Sequence, residues 1–303
     1  MTDPVATFPI VDAHHHFWDV SLGKHPWLCR EPWIHMRYGD YGAIRRNYMP
    51  ADYLADAAGF NVVKTVYVET EWDPDDPIGE VDWVKQVMHT HGYPHAVVAQ
   101  AWMDADNVDE VLATHAASGV VRSVRHKPTN THSPHIPGGF ARGSMSDDKW
   151  RAGFALLDTY GLHFDLQVVH WHMREAAQLA RDFPHTTLII NHAALPSDRS
   201  ATGLEQWREA LQTIAAEPNV VLKISGIGVP GKAWTVDANR DIVLDSIRIF
   251  GADRCMFASN YPVDRMGGDY RTIFDGFLAI TADLPDADRR KLFHDNAVRV
   301  YSL

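Results

Sequence analysis

The sequence is poor in cysteine and in long apolar runs, and each scarcity excludes a class of protein. Its 303 residues include 2 cysteines, Cys29 and Cys255, which are too few for a disulfide framework and fit reduced thiols. No run reaches the roughly 20 apolar residues of a membrane span. The N-terminus lacks the basic and apolar regions of a secretory signal. The sequence therefore predicts a cytoplasmic protein without a membrane partner.

Positive charge is also scarce. The chain carries 28 Lys and Arg against 39 Asp and Glu, a formal net charge of -11. This balance argues against nucleic acid as a partner, and no basic patch is interleaved with aromatic residues. We expect a small-molecule substrate, and a homo-oligomer is compatible with the sequence.

Several widespread catalytic motifs are absent. The chain has no GxSxG elbow, no HExxH zinc helix and no GxxxxGK[ST] phosphate loop. The stretch "GIGVPG", residues 226–231, fits GxGxxG, but Pro230 interrupts it and it follows the seventh predicted strand. A dinucleotide site needs this motif to open a helix in the leading βαβ unit, so we interpret it as a loop.

Short, nearly continuous apolar runs recur along the whole chain, as expected for parallel strands that are buried on both faces. Their repetition with amphipathic segments between them favours a closed α/β (β/α)8 TIM barrel, with an open doubly wound sheet as the alternative. No composition shift divides the chain, so we predict a single domain over residues 1–303. The predicted strands are 9–12, 62–69, 96–102, 119–125, 163–169, 186–192, 219–225 and 254–259.

Amphipathic segments with start and stop signals predict the helices; "PADYLADAAG", for example, opens with Pro and ends with Gly. Two long polar stretches, 19–48 and 127–147, are predicted as loops over the barrel mouth that set substrate specificity. The predicted helices are 50–59, 109–119, 150–161, 175–184, 235–251 and 270–284, with two short helices in 286–303.

Three histidines follow the first predicted strand in "VDAHHHFW", residues 11–18. Side chains alternate along a strand, so His14 and His16 share a face and His15 points away. Two imidazoles at the carboxyl end of a barrel strand suit a metal or an acid–base site. The alternative is a solvated histidine cluster at a turn.

These motifs resemble the amidohydrolase superfamily, in the lactonase-like branch that includes fuconolactonase and 2-pyrone-4,6-dicarboxylate lactonase relatives. The resemblance spans nearly the whole chain and implies a TIM barrel with functional residues at the strand ends. The matching blocks, in order, are "VDAHHHFWD", "RSVRHKP", "LIINHAALP", "VLKISGIG", "CMFASNYPVDR" and "DNAVRVYSL".

The resemblance also implies roles for single residues. His192 matches the histidine that ends strand six, and we predict it to be the general base. His14 and His16 would polarise the substrate carbonyl, directly or through a metal. Arg125 would anchor the substrate, because a planar guanidinium suits carboxylates and hydroxyls. Further predicted substrate contacts are Glu69, His126 and Trp18.

The chain departs from the family at Asn260, in "ASNYPVD", where relatives usually carry an aspartate. A neutral amide cannot act as a general base. One hypothesis makes His192 the base alone, with Asn260 orienting water or substrate. A second transfers the role to Asp264, and a third replaces hydrolysis with another reaction. We favour the first.

The predicted activity is hydrolysis of a small lactone, of the sugar-acid or carboxylated pyrone type. His14, His16 and His192 predict either a site for one Zn-like divalent metal or a metal-free site, and both alternatives stay open. Because Asn260 replaces the usual aspartate, an isomerase or decarboxylase acting in the same pocket is the alternative. A lactone-binding protein without turnover is a third hypothesis.

Overall fold

The centre of the molecule is one parallel sheet of eight strands, paired in chain order. The computed structural model describes residues 8–34, 39–131 and 142–303. Each predicted strand run overlaps one strand of this sheet, and the first strand extends three residues beyond its predicted run 9–12. The strands are β1 Ile10–His15, β2 Val62–Val68, β3 Ala96–Gln100, β4 Val121–Arg125, β5 His163–Leu166, β6 Leu188–Ile190, β7 Val220–Ile224 and β8 Cys255–Phe257.

Each predicted helical segment overlaps a helix of the structure, but three helices were not predicted: α1, Pro26–Cys29, α3, Gly79–His91, and α7, Ala201–Ala215. The signal was present, because Val81, Val84 and Val87 recur at helical spacing and are buried along α3. The helices are α1 Pro26–Cys29, α2 Pro50–Asp56, α3 Gly79–His91, α4 Val108–Ala117, α5 Asp148–Tyr160, α6 Met173–Asp182, α7 Ala201–Ala215, α8 Val236–Phe250, α9 Tyr270–Ile280, α10 Asp286–Arg290 and α11 Asn296–Tyr301.

The first and last strands meet, which excludes the open doubly wound alternative. His15 forms a parallel bridge with Tyr261, just beyond the end of β8. Beside it, the backbone amide of Asn260 donates to the carbonyl oxygen of His14 at 2.8 Å. The eight strands therefore form a (β/α)8 barrel, as predicted. Apolar residues of α11 pack against the inward-facing side chains of the strands.

Side chains of β1 alternate strictly through the lower part of the barrel. Val11 and Ala13 pack in the apolar cluster of the barrel interior. Asp12, between them, points outward and accepts a hydrogen bond from the hydroxyl of Tyr53 on α2 at 2.9 Å. Continued alternation would turn His15 inward next.

A bulge in β1 turns His15 outward instead. The register between β1 and β2 slips between Asp12 and His15, and one extra residue changes the face that the following side chains occupy. His14 and His16 consequently face the mouth of the barrel. His15 packs outside, with its ring 4.8 Å from that of Tyr53.

The long loops predicted over the mouth fall partly outside the described residues. Residues 35–38 of the stretch 19–48, and residues 132–141 of the stretch 127–147, are not described. Their role in specificity stays a prediction. Within the described ranges, every helix is too short or too polar to span a bilayer.

Candidate active site

Three imidazole rings meet at the carboxyl end of the barrel. The ring centroids of His14 and His16 lie 5.0 Å apart, and the ring of His14 lies 4.7 Å from that of His192. All three rings are buried. Residues that are 176 or more positions apart in the chain are therefore brought together because β1 and β6 end at the same face of the barrel.

His16 presents a hydrogen-bond acceptor to the cavity. Its Nδ1 lies 2.8 Å from the carbonyl oxygen of Val68, which can only accept, so Nδ1 carries the ring proton. Burial, reinforced by the charge of Arg125, lowers the pKa of His16 to about 3. The neutral ring keeps a lone pair on Nε2. This tautomer has no donor for direct polarisation of a carbonyl, in contrast to the role predicted for His16.

His14 is neutral as well, and both of its ring nitrogens are buried without a hydrogen-bond partner among the described residues. Burial, followed by the charge of Lys223, holds the pKa of His14 well below its usual value. A buried polar atom left unpaired costs about 1–3 kcal/mol. This cost indicates that a bound water, substrate or cation completes the surroundings of His14.

A buried ion pair lies in the barrel interior near His14. The ammonium of Lys223, on β7, donates to the carboxylate of Asp165, on β5, at 2.6 Å, and neither side chain is exposed. Asn191 and Tyr301 donate to the same carboxylate at 2.8 and 3.1 Å. Lys223 therefore has its own counter-ion, and its influence on His14 is electrostatic.

His192 lies in a left-handed turn. Residues 192–195 all have positive φ, between 49° and 55°. This conformation costs about 1–2 kcal/mol for each residue other than glycine, and such strain clusters at functional sites. Trp207 donates to the carbonyl oxygen of Ala193 at 2.7 Å and holds the turn. The hydroxyl of Ser225 lies 2.9 Å from Nδ1 of His192 and orients its ring.

Asn260 stands at the mouth with its amide between His16 and Asp264. Its Nδ2 donates to Asp264 Oδ1 at 2.7 Å, which leaves Oδ1 at 3.3 Å from His16 Nε2. Two acceptors then face each other, so this contact is favourable only when a proton or a cation lies between them. Asp264 is buried behind Asn260 and does not line the cavity, which weakens the hypothesis that Asp264 is the base.

Arg125, at the end of β4, is tied to Glu69, which follows β2. Its Nε donates to the Glu69 carboxylate, its Nη2 donates to the Glu69 carbonyl oxygen at 2.6 Å, and its Nη1 donates to Gln167 at 3.0 Å. Burial opposes ionisation of Glu69, but the charges of Arg125 and Lys127 outweigh it and lower the pKa of Glu69. Two guanidinium N–H groups are left unused by these contacts.

A second ion pair lies on the same rim, between Lys127 and Glu71. It stands beside the pair formed by Arg125 and Glu69, and all four side chains line the cavity. Within each pair, the positive charge of one side chain cancels the negative charge of the other. The rim therefore offers hydrogen-bond donors and acceptors without a net charge.

These side chains enclose a cavity of about 250 Å³. Trp18 forms part of its wall, with its indole ring stacked 6.3 Å from the ring of His16. His126 lines a neighbouring cavity instead, although it was predicted as a substrate contact. Six of the predicted site residues line this cavity: His16, Trp18, Glu69, Arg125, His192 and Asn260.

Several polar side chains that complete the site were not predicted from the sequence. Gln167 positions Arg125, and Ser225 positions His192. Gln100 ends β3 and is buried at the mouth. The sequence does carry a signal for Gln100, which is an amide at the end of the otherwise apolar run "AVVAQ".

The donor atoms present suit a cation, but the three predicted histidine ligands do not form one group. Within the described part of the chain, no three His, Cys, Asp or Glu side chains are placed to share a metal ion. His192 instead turns Nδ1 toward Ser225. The atoms that could coordinate a cation are the unprotonated ring nitrogen of His14 and the opposed acceptors of His16 and Asn260.

Known proteins resemble this chain over nearly its whole length. The family described as Amidohydrolase matches residues 11–303. An uncharacterized protein, y4mH, of Sinorhizobium fredii is 38% identical over 295 residues, which cover 96% of this chain and 98% of that protein. An L-fucono-1,5-lactonase of Burkholderia ambifaria is 26% identical over 321 residues, which cover 97% of this chain and 95% of that enzyme.

Solved structures share the barrel. Two crystal structures of an amidohydrolase from Burkholderia multivorans, one with bound HEPES and one with bound zinc, match with TM-scores of 0.79 and 0.78. Their sequence identities are 23% and 22%, and each match covers 97% of this chain and 99% of the other. The fold predicted from the strand–helix repeats is confirmed.

Proposed function

The chain belongs to the amidohydrolase family, and from this premise we propose that it is a lactonase that opens a small sugar-acid lactone by hydrolysis. The observation that carries the proposal is the cavity in which His192, Arg125 and the neutral ring of His16 face one small volume. The relative from Burkholderia ambifaria that is named an L-fucono-1,5-lactonase supports the same reaction class.

The charge of the rim favours a sugar-acid lactone over a carboxylated pyrone. Arg125 and Lys127 are each paired with a glutamate, so the positive charge of both side chains is compensated. A dicarboxylate would bring two negative charges to a neutral wall. A lactone ring with hydroxyl groups suits the alternating donors and acceptors of the same wall.

In the proposed reaction, His192 is the general base. With Nδ1–H donated to the hydroxyl of Ser225, Nε2 has the lone pair that removes a proton from the attacking water. The water oxygen forms a bond to the lactone carbonyl carbon, and the ring C–O bond then breaks. The imidazolium of His192 returns its proton to the departing alkoxide, so the products are a hydroxy acid and unchanged enzyme.

Other residues of the chain stabilise the developing charge and orient the substrate. The two unused N–H groups of Arg125 are the strongest donors on the wall and are assigned to the carbonyl oxygen. His16 accepts a hydrogen bond at Nε2 and is assigned to a substrate hydroxyl or to the attacking water. The amide of Asn260 orients the group that lies beside His16, while Asp264 fixes the orientation of that amide.

A divalent cation, when bound, would be held by His14 and His16 with the amide oxygen of Asn260, and it would supply Lewis-acid polarisation of the carbonyl. The remaining roles belong to the side chains in either case. His192 still moves the proton, and Arg125 still binds the substrate.

The experiment is acid release from a panel of sugar-acid and pyrone lactones, followed with a pH indicator in weak buffer. We expect release from sugar-acid 1,5-lactones and a rate at least about 100-fold lower in His192→Asn, because general base catalysis contributes that much. The exposed residue His185 provides the matched control His185→Asn, which should match the wild type.

A chelator-treated sample, run in parallel, tests the cation. Loss of activity that zinc restores would assign carbonyl polarisation to a metal, and full activity would assign it to Arg125. The lactonase proposal is wrong if no lactone in the panel releases acid faster than it does without enzyme.

A further inference from the structure

A second cavity of about 340 Å³ opens directly beside the first. Three indole rings line it, those of Trp27, Trp72 and Trp102. Ligand pockets usually measure about 300–1,000 Å³, so the first cavity alone is small, whereas the volumes of the two neighbouring cavities taken together fall within the usual range. Both cavities are lined by Trp27, Ile34, Glu69, Glu71, Arg125 and Lys127.

Gln100 is the unexplained polar group of this second cavity. It ends β3, is 4% exposed and lines the cavity wall. Among the residues that the structure describes, neither its amide nitrogen nor its amide oxygen has a hydrogen-bond partner. A buried amide without partners destabilises the protein, and a ligand group with both a donor and an acceptor would remove this cost.

His126 supplies a donor to the same cavity. Its Nδ1 accepts hydrogen bonds from the backbone amide of Met103 at 3.1 Å and from the indole of Trp150 at 3.0 Å. Burial lowers the pKa of His126 to about 4, so the ring is neutral and its single proton lies on Nε2. His126 was predicted as a substrate contact, and its position in the second cavity suits a part of the substrate further from the lactone ring.

We infer that the second cavity binds a second sugar ring, so that the preferred substrate is a disaccharide aldonolactone. This inference rests on the proposed lactonase function and names its substrate class. Indole faces pack against the C–H faces of a pyranose, while its hydroxyl groups both donate and accept. Gln100 and His126 supply the complementary groups. An unsubstituted aryl ring would leave the Gln100 amide unpaired.

The first arm of the test compares kcat/KM for maltobiono-1,5-lactone and cellobiono-1,5-lactone with kcat/KM for glucono-1,5-lactone. We expect one of the disaccharide lactones to be preferred by about tenfold, equivalent to one satisfied hydrogen-bonding group. Gln100→Leu keeps the volume and removes the amide, and should lower that preference about tenfold.

A second variant tests the same cavity in case Gln100→Leu does not fold. Trp102 is 42% exposed, so Trp102→Ala should fold normally and should also reduce the preference for the disaccharide lactone. Trp33 is 43% exposed and lines neither cavity, and Trp33→Ala is the matched control that should preserve the wild-type preference.

The second arm measures binding without turnover, through tryptophan fluorescence on addition of maltobionate, cellobionate or gluconate. We expect a disaccharide acid to bind more tightly than gluconate, and this advantage to disappear in Gln100→Leu. If no lactone is opened but this binding pattern appears, the lactonase proposal fails and the ring-binding cavity stands. If lactones are opened with equal kcat/KM for one and two rings, or if an aryl-substituted lactone is preferred, the inference is overturned while the lactonase proposal stands.

Discussion

At the scale of the residue, the pairing of Asn260 with Asp264 explains how an amide fits where the family resemblance implies a carboxylate. The Asn260 amide donates to the buried Asp264 carboxylate at 2.7 Å. Asn260→Asp would set two carboxyl groups against each other, and one of them would stay protonated because like charges at this distance cannot both ionise. We expect a loss of about tenfold or more in kcat/KM for lactone hydrolysis at neutral pH.

The control is the exchange of the two side chains. Asn260→Asp combined with Asp264→Asn restores one carboxylate and one amide, and should recover activity relative to Asn260→Asp alone. Measurement of kcat/KM from pH 6 to 9 for the wild type and the two variants checks both expectations. A gain of activity in Asn260→Asp alone would contradict the account and would indicate that the site lacks a base.

The sequence indicated which residues to select as site candidates, but not their tautomers, charge compensation or hydrogen bonds. His14, His16, His192, Arg125 and Asn260 could be selected from their positions after apolar runs and from the family resemblance. Their hydrogen bonds could not. The tautomer of His16 depends on a carbonyl oxygen of a neighbouring strand, and the charge of Arg125 is compensated by Glu69, 56 positions earlier in the chain.

At the scale of the element, the seam between β1 and β8 positions the site. Asp12 accepts hydrogen bonds from the backbone amide and hydroxyl of Ser259 at 2.9 and 2.6 Å, and from Tyr53 at 2.9 Å. Asp12→Ala leaves these donors unpaired inside the protein. We expect it to lower the free energy of unfolding by about 3 kcal/mol, measured by urea denaturation.

The same substitution should also reduce lactone hydrolysis at temperatures where the variant is folded, because His14 and Asn260 flank the seam. Asp106 is a suitable control, since its side chain is 96% exposed in its pair with Lys149. Asp106→Ala should leave the free energy of unfolding close to that of the wild type, because exposed ion pairs contribute little to stability. Equal effects of the two substitutions would mean that Asp12 does not hold the seam.

The positions of most strands and helices could be predicted from apolar periodicity in the sequence, whereas the β1 bulge could not. Alternation correctly paired His14 with His16, but alternation alone cannot say which face of the strand they occupy. The register slip between Asp12 and His15 decides it. Such a slip depends on the pairing with β2, and the local sequence carries no signal for it.

At the scale of the whole molecule, buried histidines couple stability to pH. Burial lowers the pKa of both His25 and His126 to about 4 and also lowers that of His115. The unfolded chain takes up these protons near pH 6.5, while the folded protein resists them. Their contribution to stability is therefore complete above pH 6.5 and is lost as the pH falls toward 4.

For each such histidine, the free energy of unfolding falls by up to about 1.4 kcal/mol for every unit by which the pH decreases within this window. Urea denaturation at intervals from pH 7.5 to 4.5 measures the slope, and His25→Gln should make it shallower than that of the wild type. A stability that stays constant between pH 6.5 and 4.5 would contradict this account.

The central claim is that water opens a lactone in this barrel, and incubation in water labelled with oxygen-18 tests it most directly. Mass spectrometry of the product of a 1,5-lactone should show one labelled oxygen in the new carboxylate, with a rate that depends on His192. A product formed in the same water without the label, or release of carbon dioxide from the substrate, would contradict hydrolysis and favour an isomerase or a decarboxylase.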